Sequence, residues 1–188
     1  MNFQESVGGN FETAIEVRSI AANTDLLAAK NGENSMSEQA NIDLVKKFYE
    51  SYLRGDAEQV LSTMSPDIDW TIPDMPGIAF SGKRRGKQQV TEFFQIVAAS
   101  QQLRHFEPRE FFAGGDRVVV LGHHDWTVRA SGLEFGSDWT QVFTVQNGEI
   151  AAFSQMMDTR RVVEAYRQSG PAAVRAPSPG HILRPILQ

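Results

Sequence analysis

The feature that most constrains the fold is an Asn-Gly pair between two short apolar segments. Asn147-Gly148 follows VFTV (142–145) and precedes EIAAF (149–153). A two-residue turn of type I′ needs positive φ at both central residues, and this pair tolerates that conformation well. We therefore predict an antiparallel hairpin with strands over 133–145 and 150–157.

Further turn residues divide the rest of the stretch 117–158 and the segment before it. Gly114-Gly115-Asp116 and Ser131-Gly132 enclose 118–129, which predicts a central strand. A strand is also expected over 103–113, and Pro108 places it at a sheet edge or on a bulge, because proline cannot donate to a ladder. A short strand over 68–72 ends at Pro73.

Helices are predicted on both sides of the first short strand. The first helix ends at Gly55 and carries one apolar stripe: Ile42, Val45, Tyr49, Tyr52 and Leu53. Asp56, with Gln59 three residues later, has capping-box spacing for a second helix. The third helix begins near Lys87 and carries Val90, Phe93, Phe94 and Val97. A short helix follows the last strand and carries Val162, Val163 and Tyr166.

Helices followed by a run of antiparallel strands indicate the α+β class. A chain of 188 residues is expected to hold one domain, which we place at 36–168. Residues 1–35 are expected to be an N-terminal extension, mobile or docked on a partner subunit. Residues 169–188 are expected to form an irregular C-terminal tail.

Composition excludes several classes. The chain has no cysteine, which excludes disulfides and thiolate metal sites. We expect no membrane span, because the apolar runs are short, and a cytoplasmic protein, because no secretory signal is recognisable. A net charge of −5 gives no indication of nucleic-acid binding. The basic cluster at 83–87 is interpreted as solvated surface, with attraction of an anionic ligand as the alternative.

Residues 41–167 resemble the SnoaL-like, or ketosteroid-isomerase-related, branch of the nuclear transport factor 2-like superfamily. The motifs that carry the resemblance are PDIDWTIP (66–73), PGIAFSGKRRGKQQVTEFF (76–94) and FTVQNGEIAAFSQMMDTRRVVEAY (143–166). The resemblance implies a cystatin-like α+β barrel, in which a cone-shaped mixed or antiparallel sheet curves around N-terminal helices. It also implies a cavity open at one end and a homodimer.

The chemistry of the family is only partly matched. The ketosteroid isomerase positions for tyrosine, base and acid fall at Phe48, Ile72 and Gln141, so steroid isomerisation is not expected. The epoxide hydrolase branch places Arg-x-Asp on one strand, and the comparable strand here reads His123-His124-Asp125. His123 and Asp125 share a face because they are two residues apart on a strand.

We therefore predict that His123 and Asp125, with Asp158 after the last strand, form a catalytic acid/base set. The alternatives are that His123 is an ordinary sheet residue, that Asp125 pairs with Arg129 and that Asp158 only caps the last helix. If these residues are not catalytic, Tyr49 and Asp138 are the next candidates for the catalytic residue. The expected substrate-binding wall consists of Tyr49, Trp70, Trp126, Trp139, Gln141, Phe143, Phe153 and Met157. No metal site is expected, since His123 and His124 lie on opposite faces.

Two functions remain open at the level of sequence. The first is an acid/base enzyme of isomerase, cyclase or hydrolase type, acting on an apolar cyclic or polyketide-like metabolite without a cofactor. The second is a non-catalytic ligand-binding or dimerisation module of the same fold.

Overall fold

The structure is a computed structural model, and it describes residues 37–167. The predicted extension over 1–35 and the tail over 169–188 lie outside the described residues, so the domain limits stay a prediction. Four helices are described: α1 (37–54), α2 (Ala57–Ser62), α3 (Gly86–Ser100) and α4 (Thr159–Arg167). Six strands are described: β1 (Met64–Ile72), β2 (Gly82–Arg85), β3 (Gln101–Gly114), β4 (Arg117–Val128), β5 (Glu134–Gln146) and β6 (Glu149–Met157).

The six strands form one curved mixed sheet in the order β2-β1-β6-β5-β4-β3. Only β1 and β6 pair in parallel, and the other neighbours are antiparallel. Strand β3 lies at the edge, and its ladder is irregular between Pro108 and Glu110. The edge position of β3 and its irregular ladder both follow from the missing N–H of proline. The one sheet and the helices packed on it confirm the predicted α+β fold.

The hairpin between β5 and β6 has the predicted turn. Asn147 and Gly148 have φ values of 53° and 77°, which is the positive-φ pair that a type I′ turn requires. The turn pairs Val145 with Ile150, and a register shift between Thr144 and Val145 then places Phe143 opposite Phe153 and Gln141 opposite Gln155. The hairpin therefore aligns two rows of side chains on one face of the sheet.

The helix ends follow the sequence signals in part. Gly55 ends α1 with φ 71°, and the Asp56 carboxylate accepts from the backbone N–H of Gln59 at 3.0 Å. The Gln59 side chain bonds Ser62 Oγ, so the return half of the capping box does not form. The cap nevertheless satisfies one of the free amides at the start of α2.

The structure contains one strand that the sequence did not predict, because Gly82–Arg85 forms β2 and pairs with β1. Strand β2 consists of one glycine and three basic residues. Its sequence therefore lacks the alternation of apolar and polar residues by which a strand is recognised. Arg84 also serves the fold: its guanidinium donates to the carbonyl oxygens of Phe80 and Ala79 at 2.8 and 2.9 Å. It thereby fixes the segment that carries Phe80.

The two faces of the sheet differ in burial. On β4 the even-numbered residues from Val118 to Val128 are buried, and the odd-numbered ones are partly or fully exposed. The buried face packs against α1 and α3: Phe48 contacts Phe143 and Phe94 contacts Trp70. This alternation decides which polar side chains reach the interior.

Candidate functional site

A cavity lies between the buried face of the sheet and the helices. Its empty volume is about 630 Å³ with the open mouth included. Eleven of its 19 lining side chains are aromatic: Phe48, Tyr49, Tyr52, Trp70, Phe80, Phe93, Phe94, Phe106, Trp126, Phe135 and Phe153. The remainder are Ile72, Val97, Gln101, His124, Gln141, Gln155, Met157 and Val162. Such a wall favours a flat ring system.

His124 is the imidazole of this cavity. It lies on the buried face of β4, opposite Ser137 of β5 and Phe106 of β3, and only 4% of it is exposed. Burial, followed by the neighbouring positive charge of His123, lowers the pKa of His124 to about 4. The ring is therefore neutral at pH 7, and one of its two nitrogens carries a free lone pair.

Two ring nitrogens of the lining are buried without a hydrogen-bond partner: Nε2 of His124 and Nε1 of Trp70. A buried polar atom left unpaired costs about 1–3 kcal/mol, and such atoms are uncommon in folded proteins. Packing prevents the Trp70 ring from turning to find a partner, because it stacks on Phe153 at 3.8 Å between centroids. Each nitrogen therefore keeps a hydrogen-bonding capacity that residues 37–167 do not satisfy.

A second polar feature of the cavity is a chain of side-chain hydrogen bonds that joins helix α1 to the neighbouring strands β5 and β6. The Tyr49 hydroxyl donates to Gln141 Oε1 at 2.6 Å, and Gln141 Nε2 donates to Gln155 Oε1 at 2.7 Å. Gln155 Nε2 then donates to Met157 Sδ at 2.9 Å. Burial raises the pKa of Tyr49, so this hydroxyl stays protonated and remains a donor.

Within residues 37–167, the lining contains no carboxylate, lysine or arginine. A charged ligand would lose its hydration without gaining a counter-ion, which is costly in an apolar site. The cavity therefore suits a molecule that is neutral when it binds. No group of three or more metal-ligating side chains occurs among the described residues.

Most of the expected substrate-binding residues lie together. Tyr49, Trp70, Trp126, Gln141, Phe153 and Met157 line the cavity. Trp139 and Phe143 are buried beside it, where both contact the Tyr49 ring. The expected wall is thus assembled from α1, β1, β4, β5 and β6.

His123 and Asp125, which the sequence predicts to be catalytic, do not line the cavity. They share a face, as predicted, but it is the outer face of the sheet, where the Asp125 side chain is 46% exposed. His123 Nδ1 lies 2.7 Å from Asp138 and its Nε2 lies 3.2 Å from Asp125. Asp138 first, and then Asp125, raises the pKa of His123. The physical reason is strand alternation: Trp126 faces inward, so Asp125 and His123 face outward.

Asp158 also lies outside the cavity lining. Its carboxylate accepts from the backbone N–H of Arg160 at 3.1 Å and lies near the guanidinium groups of Arg160 and Arg161. It therefore caps α4, which is the alternative that its position before a helix allowed.

His124 was not among the predicted site residues, although the sequence held a signal for it. Val118, Val120, Trp126 and Val128 share its parity on the strand, and apolar residues of one parity mark the buried face. A histidine on that face is the one that reaches the interior. The sequence-based prediction relied on the His-x-Asp spacing and therefore selected His123 instead of His124.

The family model of the SnoaL-like domain matches residues 45–153. No curated protein is significantly similar to the chain. Among solved structures, an NTF2-like protein from Burkholderia xenovorans is 30% identical over 69% of this chain and 98% of its own, with a TM-score of 0.64. An NTF2-like protein of unknown function from Burkholderia pseudomallei is 30% identical over 67% of this chain and 96% of its own, with a TM-score of 0.63.

A third similar structure was determined from crystals grown with a ligand. TerC, co-crystallised with polyporic acid, is 28% identical over 68% of this chain and 98% of its own, with a TM-score of 0.63. All three neighbours are matched over nearly their whole length. The described part of this chain therefore corresponds to their complete fold.

Proposed function

The chain belongs to the SnoaL-like family, and from that premise we propose that it is an enzyme that moves protons on a small molecule held in the aromatic cavity. His124 is the acid/base group. The observation that carries this proposal is the unpaired Nε2 of His124 in an apolar wall. A neutral imidazole with an open nitrogen can accept a proton from a bound molecule and return it.

The simplest reaction of this kind is proton transfer next to a carbonyl. Nε2 of His124 takes a proton from the carbon adjacent to the carbonyl, and the electron pair of that C–H bond moves to the carbonyl oxygen as an enolate. The proton returns to the same carbon or to a conjugated one, so the imidazole ends neutral and no electrons are gained or lost. Bases with pKa values of about 4 to 5 carry out this step in apolar pockets.

The substrate is proposed to be an apolar cyclic or polyketide-like molecule. The aromatic lining supports this class, because rings stack well on rings. A similar protein, TerC, was crystallised with polyporic acid, which makes that compound a suitable trial ligand. No residue of the proposed step requires a cofactor.

A second candidate function is ligand binding without turnover. It is favoured by the absence of a carboxylate within hydrogen-bonding distance of His124 in the cavity lining of the described residues. A carboxylate partner commonly orients a catalytic imidazole. The two functions differ in whether a bound ketone exchanges its adjacent hydrogens with water.

Two expectations about the whole protein stay proposals. We expect a homodimer, and Phe112 and Met156, which are 52% and 56% exposed, are side chains that a second copy could cover. Sedimentation equilibrium tests this expectation. A cytoplasmic location is also proposed, and among residues 37–167 no helix is long and apolar enough to cross a membrane.

An NMR titration tests the proposed site. 1-Indanone and polyporic acid are added separately to the full chain, and the ring resonances of the histidines are followed. We expect the His124 resonances, assigned by their loss in His124→Phe, to shift while those of His123 stay unchanged. His124 resonances that are unmoved by both compounds would refute the proposed site.

A further inference from the structure

Resting on the proposed function, we propose that the indole N–H of Trp70 is the carbonyl-binding group of the cavity, and that the substrates are therefore flat, neutral cyclic ketones. In the proton transfer described above, this N–H stabilises the negative charge that forms on the carbonyl oxygen. Trp70 thus selects and activates the substrate, in addition to forming part of the cavity wall.

The first support is the unmet donor. Trp70 is 3% exposed and lines the cavity, and its Nε1 has no hydrogen-bond partner. An indole nitrogen can only donate a hydrogen bond. The missing partner must therefore be an acceptor, and a carbonyl oxygen is the acceptor that an apolar ring system most simply offers.

The second support is the rigidity of the ring. Trp70 stacks on Phe153 with an interplanar angle of 17°, and the rings of Phe93 and Phe94 lie 5.5 Å from it at steeper angles. These contacts fix the direction of the N–H before a ligand binds. A donor fixed in this way stabilises a developing oxyanion without the cost of reorienting.

The third support is the division of roles in the lining. Neutral His124 has a free lone pair and can accept a proton. The hydroxyl of Tyr49 is already committed to Gln141, and Gln141 and Gln155 are committed to the next members of the chain. The hydroxyl of Tyr52 also lines the cavity without a partner in residues 37–167, but it is not among the fully buried atoms. Trp70 Nε1 is the lining donor in that range that is both fully buried and unpaired.

The test compares 1-indanone with indane, which has the same rings and a methylene in place of the carbonyl. The chain is labelled with ¹⁵N-tryptophan, which gives three indole N–H signals, one for each tryptophan. We expect the ketone, and not the hydrocarbon, to move the Trp70 indole proton downfield. We also expect the ketone to bind more tightly than indane by about 5-fold, the size of one net hydrogen bond.

Two variants separate the N–H from the ring. Trp70→Phe keeps an aromatic wall and removes the donor, so the preference for 1-indanone over indane should vanish. Trp126→Phe is the matched control, because Trp126 also lines the cavity and its Nε1 is not one of the buried unpaired atoms. The preference should survive in that variant.

Several results would overturn the assignment. Equal affinities of the two compounds in the wild-type chain, an unmoved Trp70 signal, or a preference retained in Trp70→Phe would each do so. If neither compound binds, the assignment also fails, while the proposed function is judged separately by the response of His124 to polyporic acid. If His124 responds to both compounds alike, the proposed site stands and the role of Trp70 is lost.

Discussion

The hydroxyl of Tyr49 lies 2.6 Å from Oε1 of Gln141, although 92 residues separate them in the chain. This bond joins helix α1 to the centre of the sheet at the wall of the cavity. It holds the first helix at a fixed distance from the strands that carry His124 and Gln155. The cavity thus depends on a polar contact as well as on ring packing.

Tyr49→Phe should lower the free energy of unfolding by about 1–3 kcal/mol, because it leaves the buried oxygen of Gln141 without its donor. Urea unfolding followed by circular dichroism measures the change. Tyr52→Phe is the matched control on the same helix, since no hydroxyl partner of Tyr52 is found within residues 37–167, and it should cost less than about 0.5 kcal/mol. Equal losses in the two variants would contradict the role given to the Tyr49–Gln141 bond.

Gly122 should be intolerant of a side chain. A Cβ at this position would collide with the Trp139 ring and with the carbonyl oxygen of Glu107. Gly122→Ala is therefore expected to destabilise the chain by about 1–3 kcal/mol, as overpacking does in other cores. Gly114→Ala is the control, since a Cβ there meets no atom within 4 Å, and it should leave thermal stability nearly unchanged. A stable Gly122→Ala variant would show that Trp139 can move.

Stability should fall in mild acid through His124. Its folded pKa of about 4 lies below the ordinary value of about 6.5, so between these values the unfolded chain binds more protons. The free energy of unfolding therefore decreases as the pH falls from 6.5 to 4, by roughly 3 kcal/mol for this group. In His124→Phe that part of the pH dependence should be missing. Parallel curves for both chains between pH 4 and 7 would contradict a buried neutral His124.

The pKa of His123 is shifted in the opposite direction from that of His124, so the two residues affect stability in opposite ways as the pH changes. The hydrogen bond to Asp138, which is the largest cause, raises its pKa, so its contribution to stability is complete below about pH 6.5 and is lost as the pH rises through the folded value. Asp138→Asn should lower the pKa of His123, as measured by NMR titration, and should leave the binding of 1-indanone unchanged within about 2-fold. A large loss of binding in Asp138→Asn would show that the outer-face residues take part in ligand binding.

The sequence predicted the elements that rest on local chemistry. Asn147-Gly148 set the hairpin, Pro108 marked the edge strand and Gly55 ended the first helix, because each feature acts on its own backbone. Strand β2 was missed because Lys83, Arg84 and Arg85 give no apolar alternation, and its pairing with β1 depends on residues far away in the chain.

The candidate site was predicted less well, for a related reason. Residue types correctly indicated an aromatic wall, since large rings are buried whatever their neighbours are. Which of His123 and His124 enters the cavity depends on the face that the whole strand presents, and Trp126 was the residue that could have decided it. The hydrogen-bond chain from Tyr49 to Met157 and the unpaired Trp70 nitrogen arise only when α1, β1, β5 and β6 meet.

Hydrogen–deuterium exchange at the carbon next to the carbonyl of 1-indanone, followed by NMR in D₂O near neutral pH, tests the central claim most directly. The full wild-type chain should accelerate the exchange, His124→Phe should lose that acceleration by roughly 100-fold, the usual share of a general base, and His123→Asn should retain it. Exchange that is no faster with the wild-type chain than with His124→Phe, or that disappears in His123→Asn, would contradict the account.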